Sequence, residues 1–270
     1  MPSRPGPDNR YARILEHIFR HGYEAGATEV RFLREDIAAA AEALDIELPK
    51  NLGDVIYSFR YRAQMPQSIQ DLAPPGKVWV IRPGGRAMYA FAAVGSTAAI
   101  IVPADNFAQT KLPDATPGII SMYALTDEQA LLAILRYNRL VDVFTGVSCY
   151  SLQSHLRTTV PGMGQVETDE VYVGIDRRGA HFVFPVQAKG GRDSISTVQI
   201  EQDVGLCKSK FPSAICRPIA AQFMEDDLIA LFEFETQGEG VKIVAERHYR
   251  LVASDELNGD DVKAYAQRRE

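Results

Sequence analysis

The chain has 270 residues, of which 46% are hydrophobic and 24% are charged, and its formal net charge is −6 at pH 7. This length exceeds that of a typical single domain and predicts two, and the composition is that of an ordinary globular protein. The acidic balance argues against a surface that binds polyanions throughout, so any interaction with nucleic acid has to come from a local site.

Cysteine use and hydropathy indicate the compartment. The three cysteines, Cys149, Cys207 and Cys216, form no CxxC pair, which fits a reducing cytosol better than a disulfide-linked scaffold. The start MPSRPGPDNR has no apolar signal segment, and the most apolar stretch is broken by glycine, serine, threonine and proline before it could span a bilayer. We therefore expect a cytoplasmic protein with no membrane partner.

Residues 1–95 read as three short helices followed by a β-hairpin. Apolar residues recur at helical spacing from Tyr11 to about Arg62, and the segment KNLGDVIYSFRYR keeps them on one face. The segment KVWVIRPGGRAMYAF then alternates as two strands around a turn at Pro83-Gly84-Gly85. This order predicts a small α+β domain of the winged helix-turn-helix type.

The winged-helix interpretation places the third helix in the major groove of DNA and the wing near phosphates. Seven polar or basic side chains of these elements are the expected DNA contacts: Lys50, Asn51, Ser58, Arg60, Arg62, Arg82 and Arg86. The alternative is a helical module that packs on the next domain or on a second subunit, with its polar residues solvated.

Residues 96–125 mix proline with short apolar runs and read as a connecting region with a strand or two. At Thr126 begins TDEQALLAILRYNRLVDVF, which predicts one long helix with Thr126 and Gln129 at capping-box spacing. The following stretch, 148–164, is polar and rich in turn residues. Residues 126–270 form the second predicted domain.

Two strands, 166–175 and 181–189, are expected next, joined by the turn DRRGA. A helix over about 195–210 and strands over about 214–221, 228–235 and 241–245 complete the chain. Pro185, inside the second strand, favours an edge position or a bulge because proline lacks the amide hydrogen of a β-ladder.

Polar side chains meet at the ends of the two strands. Side chains alternate along an extended chain, so Glu167 and Asp169 share one face of the first strand, and Gln187 and Lys189 share one face of the second. Carboxylate and carbonyl oxygens are ligands that suit Mg²⁺. A lysine beside such an ion can orient a water molecule and offset charge that develops on a phosphate. A solvated salt bridge is the alternative explanation of the same residues.

The segment VETDEVYVGIDRRGAHFVFPVQAKG resembles the core of the PD-(D/E)XK nuclease superfamily. The resemblance covers roughly residues 126–222 and implies a restriction-endonuclease-like αβββαβ core, hence an α/β fold. It makes Asp169 the metal-binding aspartate and Lys189 the motif lysine. Gln187 stands where many members carry an acid, and a Gln-x-Lys version resembles some methyl-directed restriction enzymes.

The same resemblance implies further site residues. The implied metal ligands are Asp169, Glu167 and Gln187, and Glu128 is the candidate for a glutamate of the first core helix. Independently of the resemblance, the expected contacts to DNA around this site are His155, Arg157, Arg192 and Gln199, with a structural loop pair as the alternative for His155 and Arg157. Gln199 shares its predicted helix with Gln202 and Asp203, and solvation is the alternative for these polar side chains.

Together these features predict a Mg²⁺-dependent DNA endonuclease, of the sequence-specific type II restriction kind, that acts on double-stranded DNA as a homodimer. The alternatives are a DNA-binding regulator whose nuclease core has decayed, and a DNA-repair nuclease. The motifs GxSxG, HExxH and GxxxxGK[ST] are not found in the sequence, which disfavours serine hydrolase, zincin and P-loop chemistry.

Overall fold

A computed structural model describes residues 9–49, 52–61, 65–85, 87–95, 100–104, 107–123, 127–190, 193–224, 228–237 and 240–268. The chain divides into two compact units. Unit 1 comprises residues 1–101, 159–166 and 196–198, and unit 2 comprises 102–158, 167–195 and 199–270. Among the described helices, none has the length and apolar character needed to cross a membrane.

Unit 1 combines helices with a small antiparallel sheet. Its main elements are α1 (Asn9–Gly22), β1 (Glu29–Leu33), α2 (Arg34–Ala43), α3 (Gly53–Tyr61), α4 (Gln67–Gln70), β2 (Lys77–Gly85) and β3 (Met88–Gly95). Strand β3 lies between β1 and β2 and is antiparallel to both. The amphipathic α1 buries Phe19, whose ring meets Trp79 and Phe91 edge-on at centroid distances of 5.0 and 5.1 Å. Aromatic packing therefore joins the first helix to the sheet.

Two details of unit 1 differ from the sequence prediction. Strand β1 lies inside a stretch that was predicted to be helical throughout. The residues Pro83-Gly84-Gly85, predicted as the hairpin turn, lie at the end of β2 instead, and the β2–β3 register shifts between Pro83 and Gly85. A β-bulge accepts a proline, which has no amide hydrogen, and a glycine with positive φ, such as Gly85 at 126°. Pro83 and Gly85 can therefore lie in a strand.

Strand β4 (Ile100–Ile101) also lies in unit 1, and most of the remaining chain forms unit 2. The remaining elements are β5 (Gln109–Pro113), α5 (Gly118–Tyr123), α6 (Glu128–Tyr137), α7 (Leu140–Thr145), β6 (Ser148–Val160), β7 (Gly164–Ile175), β8 (His181–Lys189), β9 (Ile195–Ser196), α8 (Thr197–Lys210), β10 (Ile215–Cys216), β11 (Ile219–Phe223), β12 (Leu228–Gln237), β13 (Gly240–Val252) and α9 (Gly259–Gln267). The large sheet has the strand order β5-β13-β12-β11-β8-β7-β6, with β10 also paired to β8. Strand β8 is antiparallel to β7 and parallel to β11. The sheet is thus mixed, and the predicted α/β class is confirmed.

One strand of this sheet was not predicted, and another comes from the connecting region, where a strand or two were expected. The stretch 148–164 was interpreted as turn-rich, but its residues Ser148–Val160 form β6, the strand at one end of the sheet. Most β6 side chains are exposed, so the alternation of apolar and polar residues that marks a half-buried strand is missing. At the other end β5, from the predicted connecting region, pairs in parallel with β13.

The predicted long helix is two helices. Helix α6 ends before Asn138, Arg139 adopts the left-handed conformation with φ 50°, and α7 starts at Leu140. The N-cap of α6 is Asp127, whose side chain accepts a hydrogen bond of 2.9 Å from the amide of Ala130. Thr126, the predicted cap, lies outside the described residues. The apolar face is as predicted, since α6 buries its leucines in the core of unit 2.

Pro185 lies in a central strand, not at an edge as its missing amide hydrogen favoured. Across β7 it pairs with Val171. On the other side β10 pairs with Phe182 and Val183, and β11 resumes pairing only at Val186. The neighbouring chain is therefore interrupted opposite Pro185, so the missing donor leaves no gap in a continuous ladder.

We expect Gly174→Ala to destabilise unit 2. A Cβ at this β7 position would lie 2.7 Å from Val147 Cγ1 and 2.9 Å from Phe184 Cε2, both in the core. Overpacking of this kind costs about 1–3 kcal/mol, measurable by urea unfolding. Gly259→Ala is the control, because a Cβ there meets nothing within 4 Å. Equal midpoints for the two variants would contradict the packing described here.

Candidate functional site

Lys189, the last residue of β8, has a buried side chain with one acidic partner. Its Nζ donates to Glu128 Oε1 at 2.6 Å, and the side chains of Lys189 and Glu128 are 8% and 35% exposed. Glu128 is the first residue of α6, where the helix dipole also favours a carboxylate. This geometry differs from a solvated surface pair, because the ammonium group has little access to water.

Asp169 lies against the same strand end. Its Oδ2 accepts a 2.8 Å hydrogen bond from the amide of Ala188, one residue before Lys189. Burial raises the pKa of Asp169, and the negative charge of Glu128 adds to this, while Lys189, the Ala188 amide and His155 act in the opposite direction. The positive groups around Asp169 do not fully offset the loss of water, so added positive charge would stabilise its ionised form.

Gln187 points into a buried network on the helix α8. Its Nε2 lies 3.0 and 3.2 Å from the two carboxyl oxygens of Asp203, and its Oε1 accepts from Gln199 Nε2 at 3.2 Å. Thr168, fully buried on β7, places its hydroxyl 3.4 Å from the same Nε2. Both ends of the Gln187 amide are therefore engaged by α8.

Asp203, like Thr168, was not predicted as a site residue. It is buried, and desolvation raises its pKa to about 8, although hydrogen bonds from Thr168 and Gln187 and the charge of Lys189 act in the opposite direction and Asp169 acts in the same one. Its position four residues after Gln199 puts both on one face of α8. That spacing was the available signal, since both side chains then reach Gln187.

Glu167 belongs to a separate, more exposed cluster. Its carboxylate pairs with Arg157 at 2.7 Å, and His155 Nδ1 lies 3.8 Å away. Both basic residues lie on β6, whereas a loop was predicted for them. His155 has φ 48°, a left-handed value in the middle of a strand, and its Nε2 lies 3.0 Å from Gln129 Nε2. The Glu167 carboxylate thus turns toward Arg157 and is shared with basic groups at the rim.

The oxygen donors near the end of β8 are of the kind that hard cations bind. Asp169 offers a carboxylate, and Gln187 offers an amide oxygen with a second lone pair beyond its bond to Gln199. Mg²⁺ binds through one or two carboxylates and keeps several waters, so it does not need a closed protein cage. Among the described residues, no group of three or more His, Cys, Asp or Glu side chains is placed to hold a metal ion.

The remaining predicted DNA contacts are distributed over both units. Ser58 on α3 and Arg82 on β2 are half-buried, and Gln199 is half-buried on α8. Five residues lie outside the described part of the chain, namely Lys50, Asn51, Arg62, Arg86 and Arg192, and the side chain of Arg60 is also outside it. Of the predicted site residues, the structure brings five close to the end of β8: Asp169, Gln187, Lys189, Glu128 and Gln199. The other three, Glu167, His155 and Arg157, form the more exposed cluster beside them.

Comparison with known proteins gives no match: no family model, no curated protein and no solved structure is similar to this chain.

The buried Asp203 predicts a pH dependence of stability. In the unfolded chain its pKa is about 4, and in the folded protein it is about 8. Between these values the native state holds a proton that the unfolded state has released, so this residue's contribution lowers the free energy of unfolding as pH rises from about 4 to about 8.

Asp203→Asn removes that contribution. The free energy of unfolding of the parent minus that of the variant should therefore fall as pH rises through this window. Urea unfolding at a series of pH values measures it. A difference that stays constant from pH 5 to pH 8 would show that Asp203 does not titrate in this way.

Proposed function

We propose that unit 2 is a Mg²⁺-dependent endodeoxyribonuclease of the PD-(D/E)XK type that hydrolyses phosphodiester bonds in double-stranded DNA. The observation that carries this proposal is the buried Lys189, which pairs with Glu128 and follows Ala188, whose amide donates a hydrogen bond to Asp169. A lysine that has lost most of its hydration at a strand end, next to two carboxylates, has a charge arrangement suited to a phosphate and an attacking water.

The order of the elements supports the same proposal. Helix α6 precedes the neighbouring strands β6, β7 and β8, and α8 then leads to β11, which lies parallel to β8. This order agrees with the αβββαβ core that the resemblance implies. The two motif strands β7 and β8 are antiparallel and adjacent, as the Asp169 and Lys189 positions require.

The residues of the site divide the chemical work. Mg²⁺, held by Asp169 with Gln187, would polarise the phosphate and the water. Lys189 orients that water through its ammonium group and offsets negative charge on the phosphate as the new P–O bond forms and the bond to the leaving oxygen breaks. Glu128 holds the ammonium group in place before substrate binds. Arg157, exposed beside Glu167, would contact a neighbouring phosphate.

Unit 1 is proposed as the recognition module. Its α1-β1-α2-α3 segment followed by the β2–β3 hairpin supports a winged-helix arrangement, in which α3 reads the major groove. A sequence-specific type II restriction enzyme is the form of activity that combines such a module with a nuclease unit. We propose a homodimer, because two copies of the site cut the two strands of a two-fold DNA sequence.

Replacement of the two central residues tests catalysis. Lys189→Ala and Asp169→Asn should each lower single-turnover cleavage of DNA in Mg²⁺ at least about 100-fold. The first removes the ammonium group that offsets charge on the phosphate, and the second removes the carboxylate that would hold Mg²⁺. DNA affinity measured in Ca²⁺ should change less than about tenfold, or roughly 1.4 kcal/mol. Lys242→Ala is the control, since Lys242 forms an exposed ion pair with Glu235.

The outcomes separate the alternatives. Folded Lys189→Ala protein that cleaves as fast as the parent would rule out this active site. DNA binding by the parent without cleavage of methylated or unmethylated DNA would favour the regulator with a decayed core. Cleavage without sequence preference would favour a repair nuclease.

Single alanine replacements test recognition by unit 1. Lys50, Asn51, Arg60 and Arg62 follow the polar side of the third predicted helix. Loss of a side chain that reads a base edge should weaken binding by about 1–3 kcal/mol and relax sequence preference, whereas loss of a phosphate contact should weaken binding to all sequences alike. Unchanged affinity and preference in all four variants, measured by fluorescence anisotropy, would mean that recognition lies elsewhere.

A further inference from the structure

We propose that Asp203 is a positioning residue that fixes the side-chain amide of Gln187, so that Gln187 presents its oxygen to the cation of the site. This inference rests on the proposed nuclease function. Asp203 would then explain how a neutral glutamine can act as a metal ligand at a motif position where an acid is usual.

Hydrogen bonds at both ends decide the orientation of the Gln187 amide. Its Nε2 faces the two carboxyl oxygens of Asp203 at 3.0 and 3.2 Å, and its Oε1 faces the Nε2 of Gln199 at 3.2 Å. Rotation of the amide by 180° would place its NH₂ against the NH₂ of Gln199 and its oxygen against the carbonyl oxygen of Glu167, to which Nε2 donates at 3.3 Å. The pairing with α8 therefore favours one of the two amide orientations.

The packing of α8 keeps Asp203 in place. One turn after Asp203, the buried Cys207 packs with Val171 of β7 and Val183 of β8. This contact holds the helix against the two motif strands, so the Asp203 side chain has little freedom and is buried in full. Thr168, also fully buried, closes the network from β7.

Donation to Asp203 also changes the character of the Gln187 oxygen. An N–H that is donated to a carboxyl group polarises the amide and increases the negative charge on its oxygen, which makes that oxygen a better donor to a cation. Groups that hold a metal ligand from behind in this way commonly change metal affinity 10–100-fold when they are replaced. Asp203 thus acts through Gln187, from a position deeper in the protein.

The test is a double-mutant cycle that uses Mn²⁺ as the probe. Mn²⁺ binding to the full-length protein is measured by isothermal titration calorimetry for the parent, Asp203→Asn, Gln187→Met and the double variant. In the parent background, Asp203→Asn should weaken Mn²⁺ binding about 10–100-fold. In the Gln187→Met background the same change should have no further effect, because the residue through which Asp203 acts is gone.

Controls keep the result specific. Asp260→Asn removes a carboxylate of a highly exposed pair with Lys263 and should leave Mn²⁺ affinity unchanged. Circular dichroism confirms folding, and Asp203→Leu, which fills the buried site with an apolar group, replaces Asp203→Asn if the latter unfolds.

Equal effects of Asp203→Asn in both backgrounds, or no effect in either, would overturn the proposal, as would a parent protein that binds no Mn²⁺. A parent that binds Mn²⁺ and shows the expected coupling but cleaves no DNA would support the positioning role of Asp203 and contradict the nuclease activity alone.

Discussion

A charged ammonium group at the buried end of a central strand is the constraint around which unit 2 is organised. Lys189 cannot keep its hydration there, so the fold has to supply an acid within hydrogen-bond distance. Glu128 is that acid, and it can reach Lys189 only if α6 starts beside the end of β8. The side chain of Asp127 caps α6 and fixes where the helix starts, so a local hydrogen bond helps to determine the partner of a distant lysine.

Strand β8 packs against different neighbours on its two faces, and this packing holds the side chains of the candidate site in fixed positions. Phe184, Val186 and Ala188 belong to the core that includes the leucines of α6, while Val183 packs with Cys207 of α8 and Gln187 contacts the same helix. Side chains held by a packed strand vary less in position than those on a loop, which suits groups that have to meet a substrate in one geometry. The core and the site therefore share the same strand.

The sequence predicted those parts whose signals are local. The strands β7 and β8 and the helix α8 followed from alternation and turn residues, and the structure agrees on these elements. A motif predicted that Asp169 and Lys189 are neighbours; in the structure Lys189 ends β8, whereas Asp169 lies within β7 and accepts a hydrogen bond from the amide of Ala188. Strand β6 was missed because an exposed edge strand has no apolar alternation. The break of the long helix at Arg139 was missed because a left-handed arginine has no sequence signature. The spacing of Gln199 and Asp203 puts both on one face of α8, but which strand that face meets depends on tertiary packing, so no role was predicted for Asp203.

Asp169 and Glu170 are consecutive acids with opposite surroundings. Asp169 accepts a hydrogen bond from β8, whereas Glu170 is fully buried and paired with Arg136 of α6 and Ser151 of β6. If β7 slipped by one residue during folding, one acid would take the place of the other, and the second would move to the place of Val171 or Thr168, both fully buried. A carboxylate would then be buried without an arginine partner. The two adjacent acids thus disfavour a shifted register of β7, because a misaligned sheet would bury an unpaired carboxylate.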